Sequence, residues 1–541
     1  MNGAQAIVKC LEAEGVQELY GYSGAAICPL YDALLSTKIK PVLVRQEQNA
    51  AHIASGYARM KGKAGVCVVT SGPGATNLIT GIATAFADSI PLVCITGQVV
   101  SSMIGSDVFQ EADITGAVES FVKYSYLVRD VNDLPRVMKE AFYIAESGRR
   151  GPVLIDVPTD VLTAELKKFN PPETVQMRTY KPTVEGNAAQ VKKVIKELEK
   201  AERPIMCVGG GVALSGAIDE IRAFVRKHQI PVVSTMMGIG AMPTEDNLYF
   251  GMVGNNGRPY ANRAMNEADL LLVVGARVAD RAVNRPDLIT ENKILVHIDV
   301  DPAEIGKNVG PTIPLVGDIK HVFQQIEKEE IHVKEHGAWL KTLMEYRLKM
   351  TEKRPKIGKQ FVDVKLFLEK LSERMDKDAI FVCDVGQNQI WSTHFFRVSE
   401  KGRFMTSGGM GTMGYAIPAA YGASRARPDR QAVALCGDGG FQMSMCELGT
   451  IAQYKGGIGI VVLRNNTLGM VMETIRNLYD SRGTMVDLGA EWPDYKKIAE
   501  AYGMQYFSLD GASDMEQVLY SFLHAEGTRI LEVSVDPQDR V

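Results

Sequence analysis

The residues with the clearest chemical potential lie between 437 and 470. The turn Gly-Asp-Gly-Gly at 437–440 follows an apolar run, and a second apolar run at 458–463 leads to Asn465 and Asn466. The Asp438 carboxylate and an Asn carboxamide are hard oxygen ligands, and without His or Cys they suit Mg²⁺ bound to phosphate. The glycines allow a diphosphate to approach the backbone at a helix N-terminus. The stretch predicts a site for Mg²⁺ and a diphosphate; an Asp-Gly turn before an ordinary Asn-rich loop is the structural alternative.

The elements that must position these residues are a strand, a turn, a helix and a second strand. In such a βαβ unit the parallel strands end on one edge of the sheet, where ligands of open α/β sheets bind. Polar stretches at 165–186 and 349–360 are typical of linkers and divide the chain into thirds. Each third alternates strand-like apolar runs with amphipathic segments of helix length. We therefore expect an α/β protein of three doubly wound parallel-sheet domains, at 1–165, 187–348 and 361–541.

A faint repeat relates the first and last thirds. Residues 50–77 and 416–443 both predict a helix, a charged turn, a strand, a Gly turn and the start of another helix. The alternation of any α/β protein can produce such a pattern, but the repeat fits a fold with two similar domains.

Bulk properties exclude several classes of protein. The 541 residues are 46% hydrophobic and 23% charged, which is typical of a soluble globular protein. A net charge of -4 gives no basic footprint for nucleic acid or an anionic membrane. The N-terminus has no basic region followed by an apolar core, and no apolar run is long enough to span a bilayer. We expect a cytoplasmic protein without nucleic-acid or membrane partners.

The Gly-Asp-Gly turn with Asn465 resembles the diphosphate-binding motif of thiamine-diphosphate enzymes. The order and spacing of motifs along nearly the whole chain resemble the acetohydroxyacid (acetolactate) synthase family. That resemblance implies decarboxylation of pyruvate on thiamine diphosphate and ligation of the hydroxyethyl unit to a second 2-keto acid, giving 2-acetolactate. It implies Mg²⁺, and it leaves open whether FAD is bound. It also implies a homodimer or homotetramer, in which first and last domains of neighbouring subunits hold the cofactor, and leaves a small regulatory subunit open.

Glu47 is the candidate for cofactor activation. It follows an apolar run, precedes a helix, and so lies at the C-terminal end of a predicted strand. In a mostly apolar pocket, its carboxyl group can share a proton with the aminopyrimidine ring. The family has an Arg-His-Glu-Gln run, whereas Gln46 stands here in the place of His. A Glu that opens a helix otherwise serves as a partner of the helix dipole.

Other cofactor contacts are implied by the resemblance. Loop 70–77 lines the pyrimidine side, loop 384–391 contacts the diphosphate, Met413 bends the cofactor, and the Gly411 carbonyl holds its amino group. A Rossmann interpretation of the glycines at 409, 411 and 414 is rejected because no strand is predicted before them. The implied cofactor residues are Gly72, Pro73, Asn77, Gly386, Gln387, Asn388, Gly411, Met413, Gly437, Asp438, Gly439, Gly440, Asn465, Leu468, Gly469 and Met470.

Alignment on Leu468, Gly469 and Met470 indicates the metal ligands. It makes Asp438, Asn465 and the backbone carbonyl of Thr467 the ligands of Mg²⁺ and puts Arg464 where the family has a first Asn. Asn466 stays an alternative ligand.

The loop 97–116 resembles the family's substrate loop, and this resemblance implies that Phe109 and Gln110 line the active site. In the middle third, Arg281 matches the arginine that holds the carboxylate of the second keto acid, and a guanidinium fork suits a planar carboxylate. An Arg and Asp pair on a loop is the structural alternative. The resemblance thus implies that the catalytic residues are Glu47, Gln110, Met413 and Arg281, and that the flavin-contacting residues are Gly209, Gly210, Gly211, Arg277, Asp280 and Asp299.

Several departures from the family pattern cluster near the acceptor. Thr159 replaces a Lys, Thr474 replaces a Trp that favours 2-ketobutyrate, and Asn255 and Asn256 replace a Met-His pair that touches the flavin. A Thr at 474 enlarges the pocket and removes an indole face. These departures leave open the acceptor (pyruvate or 2-ketobutyrate), FAD binding, and a biosynthetic or catabolic role.

Two alternative functions stay open. One is another thiamine-diphosphate enzyme, such as a pyruvate oxidase, a non-carboligating decarboxylase or another carboligase; the loop 109–116 and Arg281 count against it. The other is a nucleotide-binding dehydrogenase or a non-catalytic regulatory protein, but no acidic ribose ligand follows a strand-borne glycine fingerprint.

Overall fold

The structure is a computed structural model that describes residues 1–283, 286–350, 357–480, 482, 485–489 and 493–541. The predicted linker at 349–360 therefore lies partly outside the described residues. The described chain divides into two compact units. The first contains residues 1–180, 380–388 and 406–537, and the second contains 181–379, 389–405 and 538–541. Among the described residues, no helix combines the length and apolar character that a bilayer crossing requires.

The N-terminal part of the first unit is a six-stranded parallel sheet with the order β2-β1-β3-β4-β6-β5. Its central strands are buried along their whole length, as expected for a parallel sheet covered by helices on both faces. The strands are β1 Glu18–Tyr22, β2 Lys40–Leu43, β3 Gly65–Val69, β4 Leu92–Gln98, β5 Tyr124–Leu127 and β6 Pro152–Pro158. The helices are α1 Gly3–Ala13, α2 Cys28–Leu34, α3 Glu47–Lys61, α4 Pro73–Asn77, α5 Ile79–Ala87, α6 Ile114–Ala117, α7 Leu134–Glu146 and α8 Thr159–Thr163.

The second unit is built on a parallel sheet with the order β12-β11-β10-β7-β8-β9. The strands are β7 Pro204–Val208, β8 Val232–Ser234, β9 Tyr249–Met252, β10 Leu270–Val274, β11 Ile294–Asp299 and β12 Ile313–Val316. The helices are α9 Ala188–Lys200, α10 Gly210–Leu214, α11 Ile218–His228, α12 Pro259–Glu267, α13 Ile319–Glu327, α14 Gly337–Lys349 and α15 Val364–Arg374.

The C-terminal part of the chain supplies the third sheet, and five of its strands, in the order β13-β15-β16-β18-β17, belong to the first unit. These five pair in parallel. The strands of this part are β13 Ile380–Cys383, β14 Arg403–Met405, β15 Ala432–Gly437, β16 Gly459–Arg464, β17 Gln505–Leu509 and β18 Arg529–Ser534. The helices are α16 Gln387–Phe395, α17 Ala416–Ala426, α18 Asp438–Ser444, α19 Leu448–Gln453, α20 Gly469–Leu478, α21 Tyr495–Ala501 and α22 Met515–His524. The prediction of three doubly wound parallel α/β sheets is confirmed.

The predicted repeat corresponds to helix α3 with strand β3 and to helix α17 with strand β15. Within the first unit the two helices cross at a pair of glycines, and each glycine meets the backbone of the other helix. A Cβ at Gly56 would lie 1.9 Å from the Ala419 carbonyl oxygen, and a Cβ at Gly422 would lie 1.9 Å from the Ile53 carbonyl oxygen. Only residues without a side chain allow this approach, so the crossing fixes the position of α3, which begins at Glu47.

We expect Gly422→Ala to lower the free energy of unfolding by about 1–3 kcal/mol, because the new methyl group overlaps the backbone of α3. Gly457→Ala is the matched control, because a Cβ at Gly457 meets no heavy atom within 4 Å. Urea unfolding followed by circular dichroism measures both variants. Equal stability of the two would contradict the tight helix crossing.

Candidate active site

Strands β15 and β16 deliver the candidate metal ligands to one edge of the sheet. The two strands pair in parallel up to Gly437 and Leu463, so Asp438 and Asn465, which follow their ends, are neighbours. Asp438 Oδ2 accepts hydrogen bonds from the backbone N–H groups of Asn465, at 3.1 Å, and Asn466, at 2.6 Å. The Asp438 side chain is buried, and burial raises its pKa. The structure therefore forms the predicted βαβ unit and brings the carboxylate to the Asn pair.

The side chains of the two asparagines point to different partners. Asn465 Nδ2 donates to Gln387 Oε1 at 3.2 Å, and Asn465 Oδ1 accepts from the Thr467 N–H at 3.1 Å. Asn466 Oδ1 instead accepts from Arg464 Nε at 2.9 Å. Asn465 is thus joined to the loop predicted to contact the diphosphate, whereas Asn466 is held by Arg464. This arrangement favours Asn465 over Asn466 as the ligand.

The donor set fits Mg²⁺. The cluster offers the Asp438 carboxylate, the Asn465 carboxamide and backbone carbonyls, all of them hard oxygen donors. In the part of the chain that the structure describes, no group of three or more His, Cys, Asp or Glu residues could hold a metal ion. A soft, nitrogen- or sulfur-rich metal centre therefore has no counterpart among these residues, and the chemistry of the cluster matches a cation that bridges to phosphate.

Loop 384–391 contributes Gln387 and Asn388 to the same edge. Gln387 Nε2 donates to Glu473 on α20, so Gln387 links Asn465 to that helix. A Cβ at Gly469 would lie 1.8 Å from Gln387 Oε1, so a larger residue at the start of α20 would displace the Gln387 side chain. Asn388 Nδ2 donates to the Asp384 carbonyl at 2.7 Å, which holds the loop in its turn.

Met413 lies over the Gly-Asp-Gly turn. A Cβ at Gly439 would lie 3.3 Å from Met413 Cε and 2.8 Å from Leu468 Cδ2, so three predicted cofactor residues meet there. The backbone around Met413 is held by Asp384, which accepts the N–H groups of Gly414 at 2.9 Å and Ala416 at 3.0 Å. Burial raises the pKa of Asp384 to about 6.

The rejection of a Rossmann motif at 409–414 rests on the prediction that no strand precedes its glycines, and that prediction is wrong. Strand β14, Arg403–Met405, precedes these glycines, although the residues before it are polar. A three-residue strand needs little apolar sequence, which is why the pattern did not indicate it. The helix that follows begins only at Ala416, beyond the last glycine.

Glu47 is the first residue of α3, as predicted, and faces the Gly-rich loop. Glu47 Oε2 accepts from Asn77 Nδ2 at 3.0 Å, and a Cβ at Gly74 would lie 3.6 Å from Glu47 Oε1. The Thr70 hydroxyl beside Gly74 is buried and has no hydrogen-bond partner among the described residues. Pro73 opens α4, where its missing N–H is no loss. An unpartnered hydroxyl close to a partly exposed carboxylate fits a site that takes a polar ring.

The predicted substrate loop packs directly against the pyrimidine-side loop. Gly72 has φ of +56° and a Cβ there would lie 2.9 Å from Gln110 Cα, so glycine is required on both counts. Gln110 itself has φ of +61°, and Phe109 is 87% exposed. A non-glycine residue in the left-handed region carries some backbone strain, which makes this loop a candidate functional loop.

Asp156 fixes the other end of that substrate loop. It accepts from the Thr96 hydroxyl at 2.6 Å and from Gln98 Nε2 at 2.9 Å, and Gln98 Nε2 also donates to the Ala112 carbonyl at 2.8 Å. Thr159, where the family has Lys, donates its hydroxyl to the Gln98 carbonyl at 3.0 Å. Thr159 therefore secures the same strand end instead of offering a charge.

The predicted flavin residues lie at the C-terminal edge of the second unit's sheet: the glycines follow β7, Arg277 and Asp280 follow β10, and Asp299 is the last residue of β11. Gly209 and Gly211 donate to the carbonyls of Val274 at 2.9 Å and Gly275 at 3.0 Å, and a Cβ at Gly209 would lie 2.2 Å from the Gly275 oxygen. Packing therefore accounts for these glycines without a ligand. Gly210 and Asp299 lie at the same edge, and Arg277 is exposed.

Arg281, the predicted carboxylate anchor, projects from the loop after β10. Its guanidinium lies 3.9 Å from the Asp280 carboxylate, and both side chains are more than four-fifths exposed, at 81% and 86%. The Arg281 carbonyl accepts the Asn255 N–H at 3.1 Å, so the departure at 255–256 contacts this loop through its backbone.

Comparison with known proteins places the chain in a class. The N-terminal TPP binding domain of thiamine pyrophosphate enzymes matches residues 1–117, the central domain matches 191–326, and the C-terminal TPP binding domain matches 384–533. The chain is therefore a member of the thiamine pyrophosphate enzymes.

Full-length relatives narrow the class. The chain is 41% identical to a probable acetolactate synthase large subunit of Methanocaldococcus jannaschii, over 100% of this chain and 93% of the relative. It is 39% identical to the acetolactate synthase large subunit of Lactococcus lactis, over 100% and 93%, and 38% identical to that of Buchnera aphidicola, over 100% and 96%. The chain belongs to the acetolactate synthase large-subunit family.

Sequence reasoning missed three carboxylates that organise this site: Asp384, Glu447 and Glu473. Asp384 follows an apolar strand run and could have been found by that position, as Asp438 was. Glu447 is fully buried in an otherwise apolar segment, which is itself an unusual pattern. Glu473 has no local signal, because its partner Gln387 is distant in sequence.

The buried Asp156 makes stability depend on pH. Burial raises its pKa from 3.8 to about 7, so the folded state favours the protonated form. This contribution is complete below pH 4 and is lost as pH rises through about 7, by roughly a few kcal/mol in total. Denaturant unfolding from pH 4 to 8 should show wild type losing stability relative to Asp156→Asn. If the free energies of unfolding of wild type and Asp156→Asn change in parallel between pH 4 and 8, the raised pKa of Asp156 is contradicted.

Proposed function

We propose that the chain catalyses the acetolactate synthase reaction: one pyruvate is decarboxylated, and the remaining two-carbon unit is joined to a second 2-keto acid. The observation that supports this most directly is the joint presence, in the first unit, of Glu47 paired with Asn77 and of Asp438 joined to Asn465. Thiamine diphosphate, when bound, supplies the carbanion chemistry that this reaction requires. Formation of 2-acetolactate and CO₂ from pyruvate, with thiamine diphosphate and Mg²⁺ present, tests the proposal.

The residues of the chain divide the work. Glu47 would share a proton with the aminopyrimidine ring of the bound cofactor, and Asn77 holds the Glu47 carboxylate in one orientation. Asp438, Asn465 and the Thr467 carbonyl would hold Mg²⁺, while Gln387 and Asn388 would contact the diphosphate. Met413, reaching over Gly439, would support the cofactor. Gln110 lines the substrate pocket, and Arg281 receives the carboxylate of the second keto acid.

We further propose a homodimer at the least, or a homotetramer, in which the first and last domains, 1–165 and 361–541, of neighbouring subunits enclose each cofactor. Exposed large apolar side chains in the segments that carry predicted site residues are the candidates for such an interface. Helix α20 has no buried residue. The exposed residues are Phe109, Met410, Met443, Met445, Val471, Leu478, Tyr479 and Met485. Relatives named as large subunits support a small regulatory partner subunit.

A cytoplasmic location is part of the proposal. The eight cysteines are present as thiols, and Cys28 is exposed, which is typical of a reducing compartment. FAD binding in the middle domain, at 187–348, stays a prediction from the resemblance, since packing alone accounts for Gly209 and Gly211. An absorbance spectrum of the purified protein in the visible blue decides whether flavin is present.

Glu47→Gln should lower turnover by at least about 100-fold, because the amide cannot take up or release the proton that the aminopyrimidine would share. Thiamine diphosphate should still bind, since the side chain keeps its size and its bond to Asn77. Steady-state assay of acetolactate and calorimetric titration of the cofactor measure the two effects. Full activity in this variant would remove Glu47 from its assigned role.

Asn465→Ala should weaken Mg²⁺ binding by about 10- to 100-fold, because a ligand oxygen is lost. Asn466→Gly is the matched control: glycine keeps the positive φ of 57° and the N–H bond to Asp438, and removes only the side chain held by Arg464. The Mg²⁺ dependence of cofactor binding measures both. Greater loss in Asn466→Gly would make Asn466 the ligand.

A further inference from the structure

Glu447 is a fully buried carboxylate that lies outside the set of cofactor residues. It is the last residue of a 3-10 turn, Met445–Glu447, and is 0% exposed. Glu447 Oε1 accepts the backbone N–H groups of Arg45 at 3.0 Å and Gln46 at 3.1 Å, and Asn49 Nδ2 at 3.1 Å. Its other oxygen accepts the Thr450 hydroxyl at 2.6 Å. All of these contacts are hydrogen bonds donated to the carboxylate, which is the environment that an ionised carboxylate requires.

These donors flank the start of α3, where Glu47 is the first residue. Gln46, the N-cap, makes no side-chain capping bond, so the helix lacks a cap from its own sequence. Glu447, from another part of the chain, instead holds the two residues before the helix through their backbone N–H groups and holds Asn49 through its side-chain amide. Its bonds bracket Glu47: two reach the residues just before it, and one reaches Asn49 just after it.

The chain segment after Glu447 holds the approach to α3 as well. The Tyr454 hydroxyl accepts the Leu43 N–H at 2.9 Å, and the Thr450 hydroxyl lies 3.3 Å from the Leu43 carbonyl, to which it can also donate. Arg45 donates through its guanidinium to Gln453 Oε1 at 2.7 Å. We call Glu447, Thr450, Gln453 and Tyr454 the clamp. It contacts residues 43–49 on both sides of the strand-to-helix turn that carries Glu47.

We propose that Glu447 is a positioning residue for Glu47: through the clamp, it sets where the Glu47 carboxylate meets the aminopyrimidine ring. This inference rests on the proposed function. Proton sharing needs the two heavy atoms within about 2.6–3.2 Å, and a shift of about 1 Å costs on the order of 100-fold in rate. Glu47 opens its helix, where fraying is easiest, so its precision depends on bonds from outside the helix. Because Glu447 is 0% exposed, it would act on the cofactor only through Glu47.

The chain allows a graded series of variants. Glu447→Ala removes every bond. Glu447→Gln keeps one oxygen for the Arg45 and Gln46 N–H groups and turns its amide toward Thr450, whose hydroxyl can accept from it. Glu146→Gln is the matched control, because the Glu146 carboxylate accepts the Ala64 N–H at 2.8 Å just beyond the opposite end of α3.

The first measurement uses the full chain freed of cofactor. Hydrogen–deuterium exchange of the peptide 43–52 should speed up about tenfold or more in Glu447→Ala, less in Glu447→Gln, and not in Glu146→Gln. Unchanged exchange of this peptide in Glu447→Ala would overturn the clamp. This exchange measurement does not need catalysis, so it tests the clamp even if the wild type forms no acetolactate. A wild type that forms no acetolactate would contradict the proposed function alone.

The second measurement separates positioning from general stability. Glu447→Ala should lower kcat by about 10- to 100-fold, with a much smaller change in the dissociation constant of thiamine diphosphate, and Glu447→Gln should recover part of kcat. In the Glu47→Gln background, Glu447→Ala should cause no further loss, because it acts through the residue already changed. An equal loss in both backgrounds, or a loss seen only in cofactor affinity or melting temperature, would overturn the proposal.

Discussion

Parallel pairing of β13, β15 and β16 is the constraint on which the candidate site depends. The three strands are neighbours in one sheet, and Asp384, Asp438 and Asn465 are each the first residue after one of them. Because parallel strands end on the same edge, residues far apart in sequence meet there without any further device. Asp384 then holds the loop with Met413, Asp438 holds the Asn pair, and Asn465 meets Gln387. A slip of one residue in this register would turn all these side chains to the opposite face.

Buried carboxylates that accept backbone N–H groups are the second recurring feature. Asp384 holds Gly414 and Ala416, Asp438 holds Asn465 and Asn466, and Glu447 holds Arg45 and Gln46. Burial raises the pKa of all three groups, which is the electrostatic cost of the arrangement. Hydrogen bonds to an ionised group contribute about 1.5–3 kcal/mol each, so a carboxylate with two or more such donors can offset that cost. The same carboxylates fix the loops around the predicted site, so the electrostatic cost of burial falls on residues that position the site.

The sequence predicts the strand–helix–strand unit around Asp438 well because its signals are local. An apolar run that ends in Asp, and another that ends in Asn, identify the strand ends without knowledge of the fold, and β15, α18 and β16 follow that reading. Spacing in the sequence does not show which way a side chain points, so it cannot decide between Asn465 and Asn466 as the metal ligand. The hydrogen bonds to Gln387 and Arg464 favour Asn465. Glu447 could not be predicted as the partner of residues 45 and 46, because the pairing arises when the first and third sheets pack in one unit. Strand β14 was not predicted, because three residues are too few to show a hydrophobic pattern.

Glycine patterns were the least specific signal, and the structure explains why. A glycine reports that something approaches the backbone closely, but it does not say what. At Gly422 the approaching group is the backbone of α3, at Gly209 it is the Gly275 carbonyl, and at Gly439 it is Leu468 with Met413 next to it. Of these three, only Gly439 stands beside a carboxylate and a carboxamide that meet at a strand edge. A glycine turn therefore indicates a cofactor site when charged or amide oxygens converge with it, and indicates packing when the neighbours are backbone alone. By that criterion the turn at 437–440 indicates a cofactor site, whereas Gly209 and Gly211 are explained by their close packing against Gly275, which follows β10.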